Sequence, residues 1–194
     1  MQEPIEVFEH HGCRVEIHID PEPSDPREDD NIGVMVCWHR NYQLGDKHGF
    51  DEPYDFEAWK ATQPGIVVKP LYLYDHSGIT ISTGSFSCPW DGGQVGWIYA
   101  LPDKLKEEGI EDADKCLEQE VENYDQYLTN QIYGYRILDE QEELDACWNI
   151  YPLEYCRSEA KASADACGRL VADRKAGELA QAIADERPDM APAP

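Results

Sequence analysis

Basic residues are scarce in this sequence, and long apolar runs are absent. The 194 residues include 16 Lys and Arg against 40 Asp and Glu, which gives a formal charge of −24. Phosphate groups are bound by Lys and Arg, so this balance disfavours direct binding to DNA, RNA or anionic membranes. No apolar stretch reaches the ~18 residues that a membrane-spanning helix needs. The charge instead favours a metal cation or a basic protein partner.

Two further absences concern location and redox state. The first residues, MQEPIEVFEHHG, lack the basic region and the apolar core of a signal peptide. The cysteines number seven and include no CxxC pair. In a protein without a signal peptide, such cysteines are expected to be reduced thiols. We therefore expect a cytoplasmic protein.

Alternating apolar and polar residues predict several strands. Residues 4–20 predict a hairpin that turns at Gly12. Residues 32–38 are apolar on both faces, which is typical of a central strand. Glycine-punctuated runs over 71–100 and two short runs over 132–151 predict the remaining strands. We expect a mostly antiparallel sheet of about five to seven strands.

Helical periodicity is clearest over 112–131, where apolar residues recur at spacings of four, three and four. This stripe consists of Leu117, Val121, Tyr124 and Leu128. We expect this central amphipathic helix to pack on one face of the sheet, which gives an α+β fold. A second helical region, rich in alanine, follows Pro152.

One helix over 153–185 would be about 50 Å long. We expect it either to break near Gly168 or Gly177, or to project and pack on another subunit as in a homodimer. The predicted organisation is a core domain over 1–152, a helical extension over 153–187 that is a candidate for oligomerisation, and a disordered tail over 188–194.

Residues 71–100 carry two tryptophans and several polar residues at strand ends. Trp90 and Trp97 are expected to anchor packing, since large aromatic side chains are costly to expose. Cys88 and His76 suggest a nucleophile and its base, with Asp75 orienting the imidazole. The spacing is not diagnostic, and no helix N-terminus follows Cys88 to activate the thiol. Capping of loop backbone groups is the alternative role for these polar side chains.

A second concentration of Cys and His suggests zinc as a hypothesis. Cys37, His39 and His48 lie close together in the sequence, with Cys88 or His76 as a fourth ligand. Neither CxxC nor HxxxH spacing is present, so a buried thiol and hydrogen-bonded loop histidines explain these residues better. The other histidines, His10, His11 and His18, are weaker candidates still. We expect no stoichiometric metal and no cofactor.

Acidic residues form two candidate binding surfaces. The first comprises Glu107, Glu108, Glu111, Asp114, Glu118, Glu122 and Asp125; the second comprises Asp139, Glu140, Glu142, Glu143 and Asp145. Carboxylates on successive helical turns are separated by about 6 Å. That separation is similar to the distance between phosphates along a nucleic-acid strand, so the surfaces are candidate DNA mimics. The alternative is a solvated helix face, which is common in acidic proteins.

Five sequence blocks resemble an uncharacterised family of small proteins from phages and prophages. The blocks are MVCWHR, LGDKH, YDHSGITIST, SCPWDGGQVGWIY and KCLEQEVENYDQYLTNQIYGYRI, and they lie within residues 27–157. The resemblance implies an origin in a mobile element and a location in the cytoplasm of its host cell. It implies no particular activity.

Acidity and the implied origin together favour a non-enzymatic counter-defence inhibitor, of the anti-CRISPR or anti-restriction kind. Its expected partner is the basic nucleic-acid-binding surface of a host defence protein. A small metal-dependent or cysteine-dependent enzyme centred on the loops over 75–91 is the second hypothesis. An oligomeric accessory phage protein is the third.

Overall fold

A computed structural model describes residues 3–88, 90–140 and 142–185. Within these ranges the chain forms eight strands in two antiparallel sheets, together with four α-helices, so the predicted α+β class is confirmed. The chain divides into two compact units with one sheet each. The first unit comprises the described residues of Met1–Glu22 and Ile132–Pro194, and the second comprises those of Pro23–Gln131. The predicted disordered tail over 188–194 lies outside the described residues.

In chain order the strands are β1 (Glu6–His10), β2 (Cys13–Ile19), β3 (Val34–Cys37), β4 (Val67–Asp75), β5 (Ile79–Ser82), β6 (Gly92–Ala100), β7 (Tyr133–Asp139) and β8 (Glu142–Ile150). The helices are α1 (Pro53–Lys60), α2 (Pro102–Glu107), α3 (Ala113–Leu128) and α4 (Leu153–Asp185). None of the helices in the described ranges combines the length and the apolarity needed to cross a lipid bilayer.

The first unit is a sheet of order β1-β2-β7-β8 with α4 on one face. The predicted hairpin is confirmed, and its turn uses positive φ angles of 49° at His11 and 79° at Gly12. Val15 and Ile17 lie on the face of β2 that packs against the helix, and both are fully buried. Ala160 and Ala164 of α4 are also fully buried. Because alanine has a small side chain, the helix lies close to the sheet.

Helix α4 is unbroken at Gly168 and at Gly177, so the predicted break does not occur. Its buried residues all lie between Cys156 and Val171. From residue 172 to residue 185 every side chain is exposed. The first half of the helix therefore belongs to the core of the first unit, and the second half extends beyond it.

The second unit is a sheet of order β3-β6-β4-β5 with α3 on one face. Leu117, Val121 and Tyr124 of α3 are buried against the sheet, as the apolar stripe predicted. Helix α3 begins after Asp112, whose carboxylate accepts a hydrogen bond from the backbone N–H of Lys115 at 3.0 Å. Such a cap satisfies one of the free N–H groups in the first turn.

Aromatic residues surround Trp97 of β6 in the second unit. Its ring centroid lies 5.1 Å from that of Phe56 on α1 and 5.9 Å from that of Trp38. The prediction that Trp97 anchors packing is therefore confirmed. For Trp90 the same prediction is wrong, because this side chain is 91% exposed in the connection between β5 and β6. The cost of exposing one indole did not decide the conformation of this loop.

Strand β3 is an edge strand, and its predicted central position is wrong. Its free edge is covered by the following loop instead of another strand. The backbone N–H of Met35 donates to the Asp46 carboxylate at 2.7 Å, and the backbone N–H of Asp46 donates to the Met35 carbonyl oxygen at 2.9 Å. This cover explains why an edge strand is apolar on both faces.

Candidate functional site

Six of the predicted acidic residues are exposed in the second unit and form a set that we call the acidic edge. The acidic edge comprises Glu107, Glu108, Glu111, Asp114, Glu118 and Glu122. Three of these residues lie on α3 at successive spacings of four, so they project from nearly the same side of the helix. The other three lie at the end of α2 and in the short connection to α3. Their carboxylates are therefore accessible to a partner.

Lys69 of β4 lies beside the acidic edge and neutralises part of it. Its ammonium nitrogen is 2.8 Å from Asp114 Oδ1 and 2.9 Å from Glu118 Oε1. Hydrogen bonds to these two carboxylates raise the pKa of Lys69, so it stays charged. None of the ion pairs in the described part of the chain involves Glu107, Glu108, Glu111 or Glu122.

Asp125 does not belong to the acidic edge, although it lies about one helical turn beyond Glu122, at a spacing of three. Its Oδ1 accepts hydrogen bonds from the Thr80 hydroxyl at 2.6 Å and from the backbone N–H of Ile81 at 2.8 Å. These bonds join α3 to β5. The carboxylate therefore has a structural role, and the prediction that it replaces a phosphate in a row is corrected.

The second predicted acidic surface lies in the first unit, and its first residue, Asp139, is buried. Asp139 is 4% exposed, and its carboxylate contacts the guanidinium of Arg174 and the ammonium of Lys175. Arg174 Nη1 also lies 3.3 Å from Glu142 Oε2. Cations from α4 thus neutralise the residues that were predicted to attract a basic partner.

The remaining residues of that surface have similar contacts. Glu143 Oε2 is 2.5 Å from Arg136 Nε, and Asp145 Oδ2 accepts a hydrogen bond from the Ser163 hydroxyl at 2.5 Å. Glu140 is exposed and has a positive φ of 54°, as expected for a tight turn. The surface over 139–145 consequently offers far less unpaired negative charge than its sequence predicted.

The loops over 75–91 bring a thiol, a carboxylate and an imidazole together, but in an unsuitable order. Cys88 Sγ is 3.6 Å from Asp91 Oδ2, and His76 Nδ1 is 3.5 Å from the same oxygen. A nucleophilic cysteine needs the imidazole beside the thiol. Asp75, the predicted orienting residue, instead accepts a hydrogen bond from the Tyr42 hydroxyl at 3.3 Å. The geometry gives the cysteine-enzyme hypothesis no support.

The predicted metal candidates near β3 have separate partners. His48 Nε2 lies 3.1 Å from the backbone carbonyl oxygen of Cys37, and the His39 ring stacks on Tyr42 at 4.9 Å. Burial raises the pKa of the Cys37 thiol to about 12, which disfavours the thiolate that zinc binds. In the described ranges these residues and Cys88 form no group of three convergent ligand atoms.

A group of three such atoms does occur in the first unit, and two of its residues are histidines that the sequence indicated only as weak candidates. His10, His11 and Asp165 place one ligand atom each within 4.8 Å of one another. In the sequence, this group was indicated by two adjacent histidines at the predicted hairpin turn. Asp165 lies on α4, more than 150 positions away, so the sequence could not reveal the third member.

Comparisons with protein families, with curated protein sequences and with solved structures gave no match. The resemblance to a phage family therefore stays a prediction, and functional inference depends on the geometry described above.

Proposed function

We propose that the acidic edge binds the basic nucleic-acid-binding surface of a partner protein and thereby competes with nucleic acid for that surface. The partner class is a nuclease of host defence, which follows from the phage resemblance together with the charge. In this proposal the protein acts in the cytoplasm of the host cell and performs no catalysis. The exposure of all six carboxylates of the acidic edge is the observation that supports it.

Spacing and rigidity add to this support. Asp114, Glu118 and Glu122 repeat once per helical turn, at about 6 Å, on a helix whose opposite side is buried in a core. The backbone of a packed helix loses little further freedom on binding, which lowers this part of the entropic cost of association. Lys69 pairs with Asp114 and Glu118, and this single cation leaves the six carboxylates of the acidic edge with a net negative charge.

The test is a competition assay with labelled duplex DNA and two purified nucleases, a restriction endonuclease and an RNA-guided nuclease. We expect the wild-type protein to displace DNA from one of them and to do so less effectively as salt increases, because exposed charges are screened over about 8–10 Å. A triple variant carries Glu107→Lys, Glu111→Lys and Glu122→Lys. The concentration at which it displaces DNA should rise by about tenfold or more.

A matched control separates a specific surface from general charge. Asp173→Lys, Glu178→Lys and Asp185→Lys on α4 change the net charge by the same amount at exposed positions. This control should compete as well as the wild-type protein. Equal losses in the two triple variants, or a wild-type protein that displaces DNA from neither nuclease, would reject the proposal. Asp125 is left intact because its reversal would break the contacts with β5.

A further inference from the structure

The turn between β1 and β2 brings two imidazoles to one carboxylate of α4. His10 Nε2 is 2.7 Å from Asp165 Oδ1, and His11 Nε2 is 3.2 Å from the same oxygen. The two imidazole rings are nearly perpendicular, with an interplanar angle of 85°. Both Nε2 atoms therefore point to one place beside the helix.

Backbone features keep this arrangement in position. His11 has a φ of 49°, in the left-handed region, where the chain turns from β1 to β2. A Cβ atom at position 168 would lie 2.6 Å from the His11 carbonyl oxygen and 2.7 Å from the His11 Cβ. Gly168 thus permits a close approach of the turn to the helix that any larger residue would prevent.

We propose that His10, His11 and Asp165 bind one divalent transition-metal ion of the zinc type. In a tetrahedral zinc site with bonds of about 2.0–2.1 Å, neighbouring ligand atoms are separated by about 3.3 Å. The 3.2 Å between His11 Nε2 and Asp165 Oδ1 matches that value, whereas the 2.7 Å between His10 Nε2 and the same oxygen is a hydrogen-bond distance that the ion would lengthen by about half an ångström. All three ligand atoms lie within 4.8 Å of one another.

The ligand types determine which ions fit. Imidazole nitrogen suits zinc, copper and nickel, whereas magnesium and calcium prefer oxygen ligands. Each imidazole binds in its neutral form through Nε2, with its proton on Nδ1, and the carboxylate supplies the third ligand. His11 and Asp165 have side chains that are 65% and 48% exposed, so the fourth position is open to water.

The neighbouring cation does not compete for the carboxylate. Arg169 Nε donates a hydrogen bond to the backbone carbonyl oxygen of Asp165 at 3.1 Å, and the carboxylate faces the two histidines. An ion at this point would join the hairpin turn to α4. Metal binding would therefore stabilise the first unit.

The test is calorimetric titration of zinc into the full chain after treatment with a chelator. We expect one high-affinity ion per chain, a higher Tm with zinc, and no such effects with magnesium. His11→Asn and Asp165→Asn should each weaken zinc binding by about tenfold or more. Asparagine at position 11 tolerates positive φ, so that variant retains the turn. The controls His76→Asn and Asp173→Asn should bind zinc as the wild-type protein does.

Cobalt absorption distinguishes this site from the free thiols. Binding at His10, His11 and Asp165 gives a cobalt spectrum without thiolate charge-transfer bands, and Asp165→Asn should weaken that spectrum at the same cobalt concentration. Strong thiolate bands, or zinc affinity unchanged in both His11→Asn and Asp165→Asn, would assign the ion to cysteines and overturn the proposal. A wild-type protein that binds no zinc would show that the three residues form a hydrogen-bonded cluster only.

Discussion

The guanidinium of Arg27 donates a hydrogen bond to the carboxylate of Glu120 at 3.0 Å, across 93 positions of sequence. Arg27 also donates to Asp46 through Nε and Nη2, at 3.0 and 2.7 Å. Glu120 in turn accepts the backbone N–H groups of Ile32 and Gly33. The Arg27 side chain is 4% exposed, so this network joins α3 to the start of β3 away from solvent.

Replacing the cation of this network should destabilise the second unit strongly. Arg27→Met leaves the carboxylates of Asp46 and Glu120 largely buried without their cation, and breaking a buried pair costs about 3–5 kcal/mol. Urea denaturation measures the change in the free energy of unfolding. The matched control Glu122→Gln, at an exposed position of the same helix, should change it by less than ~0.5 kcal/mol. A loss below ~1 kcal/mol for Arg27→Met would show that the network contributes little.

Strands β3 and β6 approach each other closely at Gly96. A Cβ atom there would lie 1.9 Å from the carbonyl oxygen of Val36 and 2.9 Å from the Cα atom of Cys37. Because both neighbours are backbone atoms, Gly96→Ala should force the strands apart and cost about 2 kcal/mol or more. Gly93→Ala in the same strand meets nothing within 4 Å and serves as the control in thermal denaturation. Equal Tm values for the two variants would contradict the close approach.

Thiol reactivity should follow exposure and pKa. Burial raises the pKa of Cys156 to about 11 and that of Cys37 to about 12, so almost no thiolate is present at neutral pH. We expect iodoacetamide to modify the exposed Cys147 first, as determined by peptide mapping. Cys156 is fully buried, so it should stay unlabelled in the folded protein, and the half-buried Cys37 should react slowly because so little of its thiolate forms. Labelling in denaturant, where all cysteines should react, is the control.

The second half of α4 should mediate self-association. Leu179 and Ile183 are 63% and 56% exposed, and their spacing of four places them on one side of the helix. We expect light scattering to give a dimer or a larger assembly, and Leu179→Glu with Ile183→Glu to give a monomer of 22.1 kDa. The control Glu178→Gln with Gln181→Glu should leave the mass unchanged. A wild-type monomer at micromolar concentration would contradict this prediction.

Local sequence was sufficient for several elements. Alternation and Gly12 predicted the first hairpin, apolar spacing predicted α3 to within three residues at its end, and the alanine-rich stripe predicted α4. These features depend on periodicity and on turn residues, which are written in neighbouring positions. The excess of acidic over basic residues was likewise visible in the sequence, as a formal charge of −24. The α+β class follows from such local information.

Tertiary structure decided which polar side chains are available. The sequence predicted Asp125 and Asp139 as surface carboxylates. Asp125 instead accepts a hydrogen bond from β5, and Asp139 is buried against cations of α4. His10 and Asp165 meet across 155 positions, and no local pattern relates them. A side chain's periodicity predicts the face on which it lies, whereas its partners come from elements that are distant in sequence. The acidic edge and the candidate metal site therefore became distinguishable from structural carboxylates and histidines only once the sheets and helices were packed.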